Sequence, residues 1–277
     1  MKMKNYKEIV NLTNDGISVI IPSAGSGKRI GFKKQYYPLN KKPILAWTIS
    51  IFQNNPLISE IILAVPKDDI MFCKTNIVTK YKFGKVKKIV AGGKTRQISV
   101  SNGLNACNPN SEYILIHDAA RPFFNKKLLS KLIQDVKKYK AIVTAVPARD
   151  TIKVAAGFSL RETAQPKGCG YQIINTPTRK DIFQAQTPQI FSHKLIKRAY
   201  EKAEKEKFVG TDDSSLVERM GGKVKIFIGN EENIKITSPK DLIIAEAMML
   251  PIETKVVVRK VYLQKAFNGE LRNPKGV

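Results

Sequence analysis

Two closely spaced glycines, Gly25 and Gly27, and four cations, Lys28, Arg29, Lys33 and Lys34, directly follow the apolar run ISVIIP at residues 17–22. A strand that ends in small residues exposes backbone amides, and amides beside positive charge hold phosphate. Two familiar phosphate loops do not fit the spacing. A P-loop needs glycine where Pro22 stands and Ser or Thr where Arg29 stands, and a dinucleotide fingerprint needs glycine at Ile30. An ordinary turn with a solvated basic patch explains the glycines and lysines, but not their position at the end of a strand.

Two further charged motifs, His117-Asp118-Ala119-Ala120-Arg121-Pro122 and Asp150-Thr151-Ile152-Lys153, also follow apolar runs. Periodicity predicts strands over residues 18–21, 60–65, 87–90, 113–116, 141–146 and 224–228. Helical patterns fall between them, over 43–53, 95–106, 126–139, 193–205, 213–220 and 239–249, the last preceded by the capping pair Ser238-Pro239. Such alternation predicts an α/β fold, a mostly parallel twisted sheet with helices on both faces and ligands beyond the carboxyl ends of its strands. Residues 155–178 break the pattern with Gly, Pro, Gln and Thr, and a long excursion of this kind is commonly functional.

The 277 residues, 43% of them hydrophobic, suit one large domain: an extension at 1–15, a domain at 16–250 and a basic tail at 251–277. The formal charge of +25 raises a nucleic-acid-binding alternative. The lysines are spread over the whole chain without interleaved aromatics, so small anionic substrates are the expected partners, with no nucleic acid and no membrane. No apolar run reaches the length of a membrane span, and the first residues, MKMKNYKEIVNLTNDG, lack the apolar centre of a secretory signal, so the expected location is cytoplasmic. Cys73, Cys107 and Cys169 are far apart, with no zinc spacing and no disulfide framework.

The spacing S-A-G-x-G-K-R followed by K-Q-Y resembles the sugar-nucleotide transferases. Taken with AGGKTRQISV, ILIHDAARPF, AVPARDTIK, QAQTPQIF, TDDSSLVE and NIKITSPKDLIIAEA, it is identified as similar to the 2-C-methyl-D-erythritol 4-phosphate cytidylyltransferase family, from about Gly16 to Met249. The resemblance implies a Rossmann-like nucleotide-transferase core, a homodimer, and an arm, about residues 148–185, that reaches toward the neighbouring subunit's site. It implies CTP and methylerythritol phosphate as substrates, and Mg²⁺ or another divalent cation held mainly by the triphosphate.

Residue by residue, the resemblance places Arg29, Lys34 and Lys235 on the triphosphate and transition state. It brings Ser23, Ala24, Gly25 and Gly27 close to the nucleotide, and lets Gly93 and Ser99 read the cytosine. Arg96 orients that loop. Asp118 lies near the ribose and metal, its alternative being a helix N-cap before Ala119 and Ala120, while Arg121 braces the site. Thr151, Lys153 and Arg179 bind the acceptor. The arm is roughly ten residues longer than the family pattern, leaving Arg161 as an alternative to Arg179. A pentitol-phosphate (ribitol 5-phosphate) cytidylyltransferase is the alternative function. His117 and His193, without partners at ligand spacing, read as a packed strand-end residue and a helix-start residue.

Overall fold

The computed structural model describes residues 16–27, 30–157 and 171–251. Arg29, Arg161, Cys169, the extension 1–15 and the tail from 252 onward lie outside the described residues. In chain order the elements begin with β1 (Ile17–Pro22), the two-residue strands β2 (Pro38–Leu39) and β3 (Lys42–Pro43), α1 (Ile44–Gln53) and β4 (Ile58–Val65). A short α2 (Ile70–Cys73) runs into a π-helical stretch (Lys74–Thr79), followed by β5 (Val86–Ala91), α3 (Arg96–Ala106), β6 (Tyr113–Ile116), α4 (Lys126–Tyr139) and β7 (Ala141–Pro147). The remainder is β8 (Val154–Gly157), β9 (Tyr171–Asn175), β10 (Phe183–Ser192), α5 (His193–Lys205), α6 (Asp213–Arg219), β11 (Lys225–Ile228) and α7 (Pro239–Met249).

Seven strands form one sheet in the order β11-β7-β10-β6-β1-β4-β5. All its pairings are parallel except those of β10, which runs antiparallel to both β6 and β7. Successive side chains of a strand point to opposite faces. Accordingly Ile17, Val19 and Ile21 of β1 pack in one core with Leu45, Ile49 and Phe52 of α1 and Leu129, Leu132 and Val136 of α4. Ile20 packs in a second core with Val100 of α3, Ile196 of α5 and Leu216 of α6. Each fully buried aliphatic side chain contributes about 1.5–3 kcal/mol, so a charge at Val19 would remove the strand that carries the glycine loop. A third cluster joins Ile236, Leu242 and Ala245 to Leu39 and Ile44, which seats α7 against β2 and α1.

The predicted alternation of strands and helices is present; besides the short β2, β3, α2 and π-helical stretch, two departures stand out. β10 is absent from the predicted strands because Pro188 cannot donate to a ladder and interrupts an otherwise strand-like run. The fold accommodates it where the β10–β7 register shifts between Ala185 and Gln189, and Thr144 Oγ1 donates to the Pro188 carbonyl at 2.6 Å. The second departure lies in the irregular excursion, which contains the antiparallel pair β8–β9, with Val154 opposite Asn175 and Gly157 opposite Tyr171. Ile173 and Ile174 of this pair are exposed. Among the described residues, no helix is long and apolar enough to cross a membrane.

Candidate active site

Residues 23–27 after β1, 92–95 between β5 and α3, and 117–121 after β6 converge beyond the carboxyl ends of parallel strands. Lys235, between β11 and α7, joins them. Together they enclose a cavity of about 490 Å³ lined by Ser23, Gly25, Lys34, Gly93, Asp118 and Lys235, among others. This is where a doubly wound sheet leaves a crevice for a ligand.

Local chemistry explains the shape of each wall. Gly27 has φ +72°, a left-handed conformation that L side chains rarely adopt. Gln35, buried in the 3-10 turn Lys34–Tyr36, donates from Nε2 to the Ser23 carbonyl at 3.1 Å and to the Gly25 carbonyl at 3.3 Å. That turn therefore holds the glycine loop open toward the cavity. It also separates the two adjacent lysines: Lys33 forms an ion pair with Asp69 at 2.7 Å, while Lys34 lines the cavity. On the opposite wall a side chain at Gly92 would collide with Ala24, so glycine there lets the two loops touch. Ser99 Oγ donates to the Thr95 carbonyl at 2.9 Å and accepts from the Gly93 amide at 3.0 Å, while Thr95 caps α3.

Asp118 is the sole carboxylate among the described residues that line this cavity. Its Oδ1 accepts from Arg96 Nε at 2.9 Å, its Oδ2 lies 2.8 Å from Lys235 Nζ, and Arg121 Nε is 3.7 Å away. Burial opposes ionisation, but Arg96, Lys235 and Arg121 outweigh it and hold the Asp118 carboxyl well below the usual carboxylate range. Arg96 is fixed from behind by buried Asp213, which accepts from Nη1 at 3.0 Å and Nη2 at 2.7 Å and from Tyr200 Oη at 2.6 Å. A second cavity of about 400 Å³, reaching Gln186, Thr187, Asp212 and Ser214, shares Arg96, Asp118 and Lys235 with the first.

Of the residues singled out in the sequence, Ser23, Ala24, Gly25, Lys34, Gly93, Arg96, Ser99, Asp118 and Lys235 line the first cavity. Gly27 shapes the loop from behind, and Arg121 lines the second cavity. Asp118 is not a helix N-cap: α4 begins only at Lys126, capped by Asn125, because residues 117–125 form turns. Thr151, Lys153 and Arg179 are not brought to either cavity within one chain. They are exposed beside the β8–β9 pair, where Lys153 Nζ donates to Thr176 Oγ1 at 2.9 Å and Arg179 Nη1 to the Arg149 carbonyl at 3.2 Å. His193 begins α5 behind the cap residue Ser192, as its helix-start reading expected.

Sequence reasoning missed Gln35, Lys94, Thr95, Asp213 and Tyr200. Gln35 and Asp213 stood inside quoted motifs, K-Q-Y and TDDSSLVE, but nothing in their spacing says which atoms they hold.

The family described as "IspD: 2-C-methyl-D-erythritol 4-phosphate cytidylyltransferase" matches residues 17–250. A protein of that name from Geobacter metallireducens is 42% identical over 238 residues, 84% of this chain and 97% of its own length. One from Clostridioides difficile is 44% identical over 234 residues, 84% of this chain and 93% of its own. Among solved structures, the 4-diphosphocytidyl-2C-methyl-D-erythritol synthase of Anaerococcus prevotii superposes with a TM-score of 0.72 at 36% identity, covering 85% of this chain and 96% of that one.

Proposed function

The chain belongs to the IspD, 2-C-methyl-D-erythritol 4-phosphate cytidylyltransferase, family, and from that premise we propose how its site moves the cytidylyl group of CTP onto 2-C-methyl-D-erythritol 4-phosphate. An oxygen of the acceptor phosphate attacks the α-phosphorus of CTP, the bond to the β-phosphate oxygen breaks, and pyrophosphate leaves. Attacker and target are both anions, so the protein's task is to align them and neutralise charge, with no protein nucleophile needed. Lys34 and Lys235 supply that charge, together with Arg29. The observation that carries this reading is the Lys235–Asp118 ion pair at the seam of the two cavities.

Ser99 explains the choice of base. Its proton goes to Thr95 and one lone pair to Gly93, which leaves an acceptor site suited to the exocyclic amine of cytosine and unsuited to the carbonyl of uracil. Backbone at Ser23, Ala24 and Gly25 meets the nucleotide, and Asp118 accepts from the ribose hydroxyls. The donor set also fits a divalent cation. Asp118 retains lone pairs beyond its three ion pairs, and one carboxylate plus phosphate oxygens suits Mg²⁺. Such an ion, when bound, polarises the phosphoryl oxygens.

Thr151, Lys153 and Arg179 then bind the acceptor phosphate of the neighbouring subunit's site in a cytoplasmic homodimer. Their exposure beside the β8–β9 pair, away from this chain's own cavity, supports that reading. In this organisation, residues 16–250 form the catalytic domain and 1–15 and 251–277 its appendages. Pyrophosphate release with CTP and Mg²⁺ tests the assignment. Release with methylerythritol phosphate is expected, and equal release with ribitol 5-phosphate would overturn the acceptor. Salt-sensitive nucleic-acid binding unaffected by CTP would instead favour the nucleic-acid reading.

A further inference from the structure

Behind the first cavity, and with Thr187 on the wall of the second, three groups form a closed set of hydrogen bonds. The Asp118 amide donates to Thr187 Oγ1 at 3.0 Å, Thr187 Oγ1 lies 3.1 Å from His117 Nδ1, and His117 Nε2 lies 2.9 Å from the Arg121 carbonyl. Thr187 is 4% exposed and His117 0%. Directionality follows from the ends of the chain. An amide can only donate, so Thr187 Oγ1 accepts from Asp118, keeping its proton and a second lone pair. A carbonyl can only accept, so Nε2 carries an imidazole proton. Desolvation of the fully buried ring disfavours a second proton, so Nδ1 is left as the acceptor of a hydrogen bond from the Thr187 hydroxyl.

We infer that Thr187 and His117 are positioning residues for the reaction: through this relay β10 sets the Asp118 backbone and the Arg121 turn, and so the carboxylate that orients Lys235 and Arg96. The inference rests on the placement of Asp118 in the site. It also gives the β10 irregularity a purpose: Thr187 lies within the register shift between Ala185 and Gln189, outside regular pairing with β7, and its hydroxyl meets His117 there. Together the groups facing His117 oppose its protonation. Burial of the ring, with the Phe52 and Phe124 centroids 5.2 and 6.0 Å away, is the largest influence against it; the charges of Arg121 and Arg96 add to that, while the Arg121 carbonyl and the Asp118 carboxylate favour a proton. With a proton on Nδ1, Thr187 Oγ1 would accept twice and its own proton would lose its partner in the relay.

The test pairs Thr187→Val, which keeps the shape and removes the hydroxyl, with Thr187→Ser, which restores it. In folded enzyme, Thr187→Val is expected to lower kcat roughly tenfold to a hundredfold with little change in the KM for CTP, and Thr187→Ser to recover most of it. Full turnover in Thr187→Val, or an equal loss in both variants, would overturn the proposal. Should Thr187→Val not fold, ¹⁵N-resolved NMR of the wild-type imidazoles decides. The chain has only 2 histidines, so the His117 signal can be assigned by substituting the half-buried His193. The Nε2-protonated tautomer is expected, and an Nδ1-protonated ring would overturn the relay. Wild-type turnover in Asp118→Asn would defeat the site assignment itself, independently of the tautomer.

Discussion

Lys235 Nζ lies 2.8 Å from Asp118 Oδ2, an ion pair joining the loop before α7 to the turn after β6. Half of this contact is held by α7: Ser238 caps the helix, Asp241 accepts from the Thr237 and Ser238 amides, and Ile236 is buried in the third cluster. The other half is held by Arg96 and the Thr187–His117 relay. A cation in this position can follow the charge that builds on the transferring phosphoryl group.

Lys235→Ala is therefore expected to lower kcat by a factor on the order of 10²–10³ while leaving the melting temperature nearly unchanged, since the side chain is only part-buried. Steady-state rates and thermal melts of the same preparation check this. A near-normal rate would remove Lys235 from the chemistry.

Asp213→Ala leaves the Arg96 guanidinium and the Tyr200 hydroxyl without their buried acceptor. Breaking a buried pair in this way costs about 3–5 kcal/mol, and loss of the Arg96 orientation should reduce turnover as well. Urea denaturation gives the first figure, and activity of the folded fraction the second.

Ser99→Ala removes the acceptor proposed to read the cytosine amine. Discrimination between CTP and UTP should shrink by about tenfold or more, chiefly through poorer use of CTP. Competing-substrate assays give that ratio directly, and an unchanged ratio would assign base selection elsewhere.

Stability should fall as the medium is acidified, because burial pushes His117 from the usual 6.5 down to about 4. Between those values the unfolded chain takes up a proton at this residue and the folded chain does not. The contribution is therefore fully present above pH 6.5 and is lost progressively toward pH 4, amounting to roughly 3 kcal/mol. Denaturant melts at pH 7 and pH 5 should show a smaller drop in His117→Gln than in the wild type. Asp118, whose carboxyl stays ionised well below the usual range, should add no acid limb to activity between pH 5 and 8.

Arg179→Ala is expected to raise the KM for methylerythritol phosphate, leave CTP binding unchanged, and exceed the effect of Arg161→Ala. If the arm serves the neighbouring subunit, mixing inactive Lys34→Ala and Arg179→Ala chains should restore activity in heterodimers. Demonstrated heterodimers without activity would show that each arm serves its own subunit.

The parallel strands, most of the helices and the glycine loop were legible in the order of amino acids. Those features depend on local periodicity, capping and strand-end geometry, each written in a few consecutive residues such as ISVIIP or Ser238-Pro239. That order also named most of the cavity's polar lining, from Ser23 to Lys235, because those residues sit in contiguous motifs. Which neighbour each charge meets is settled only in the folded chain. Spacing does not separate Lys33 from Lys34; the resemblance singles out Lys34, and the fold pairs Lys33 with Asp69 and puts Lys34 on the cavity wall. Likewise Pro188 concealed β10, and only the folded sheet shows that the irregularity at Thr187 closes a relay onto His117. Hydrogen-bond partners distant in the chain leave no periodic trace, so Asp213 behind Arg96 and Gln35 beneath Ser23 emerge only when the sheet brings their loops together.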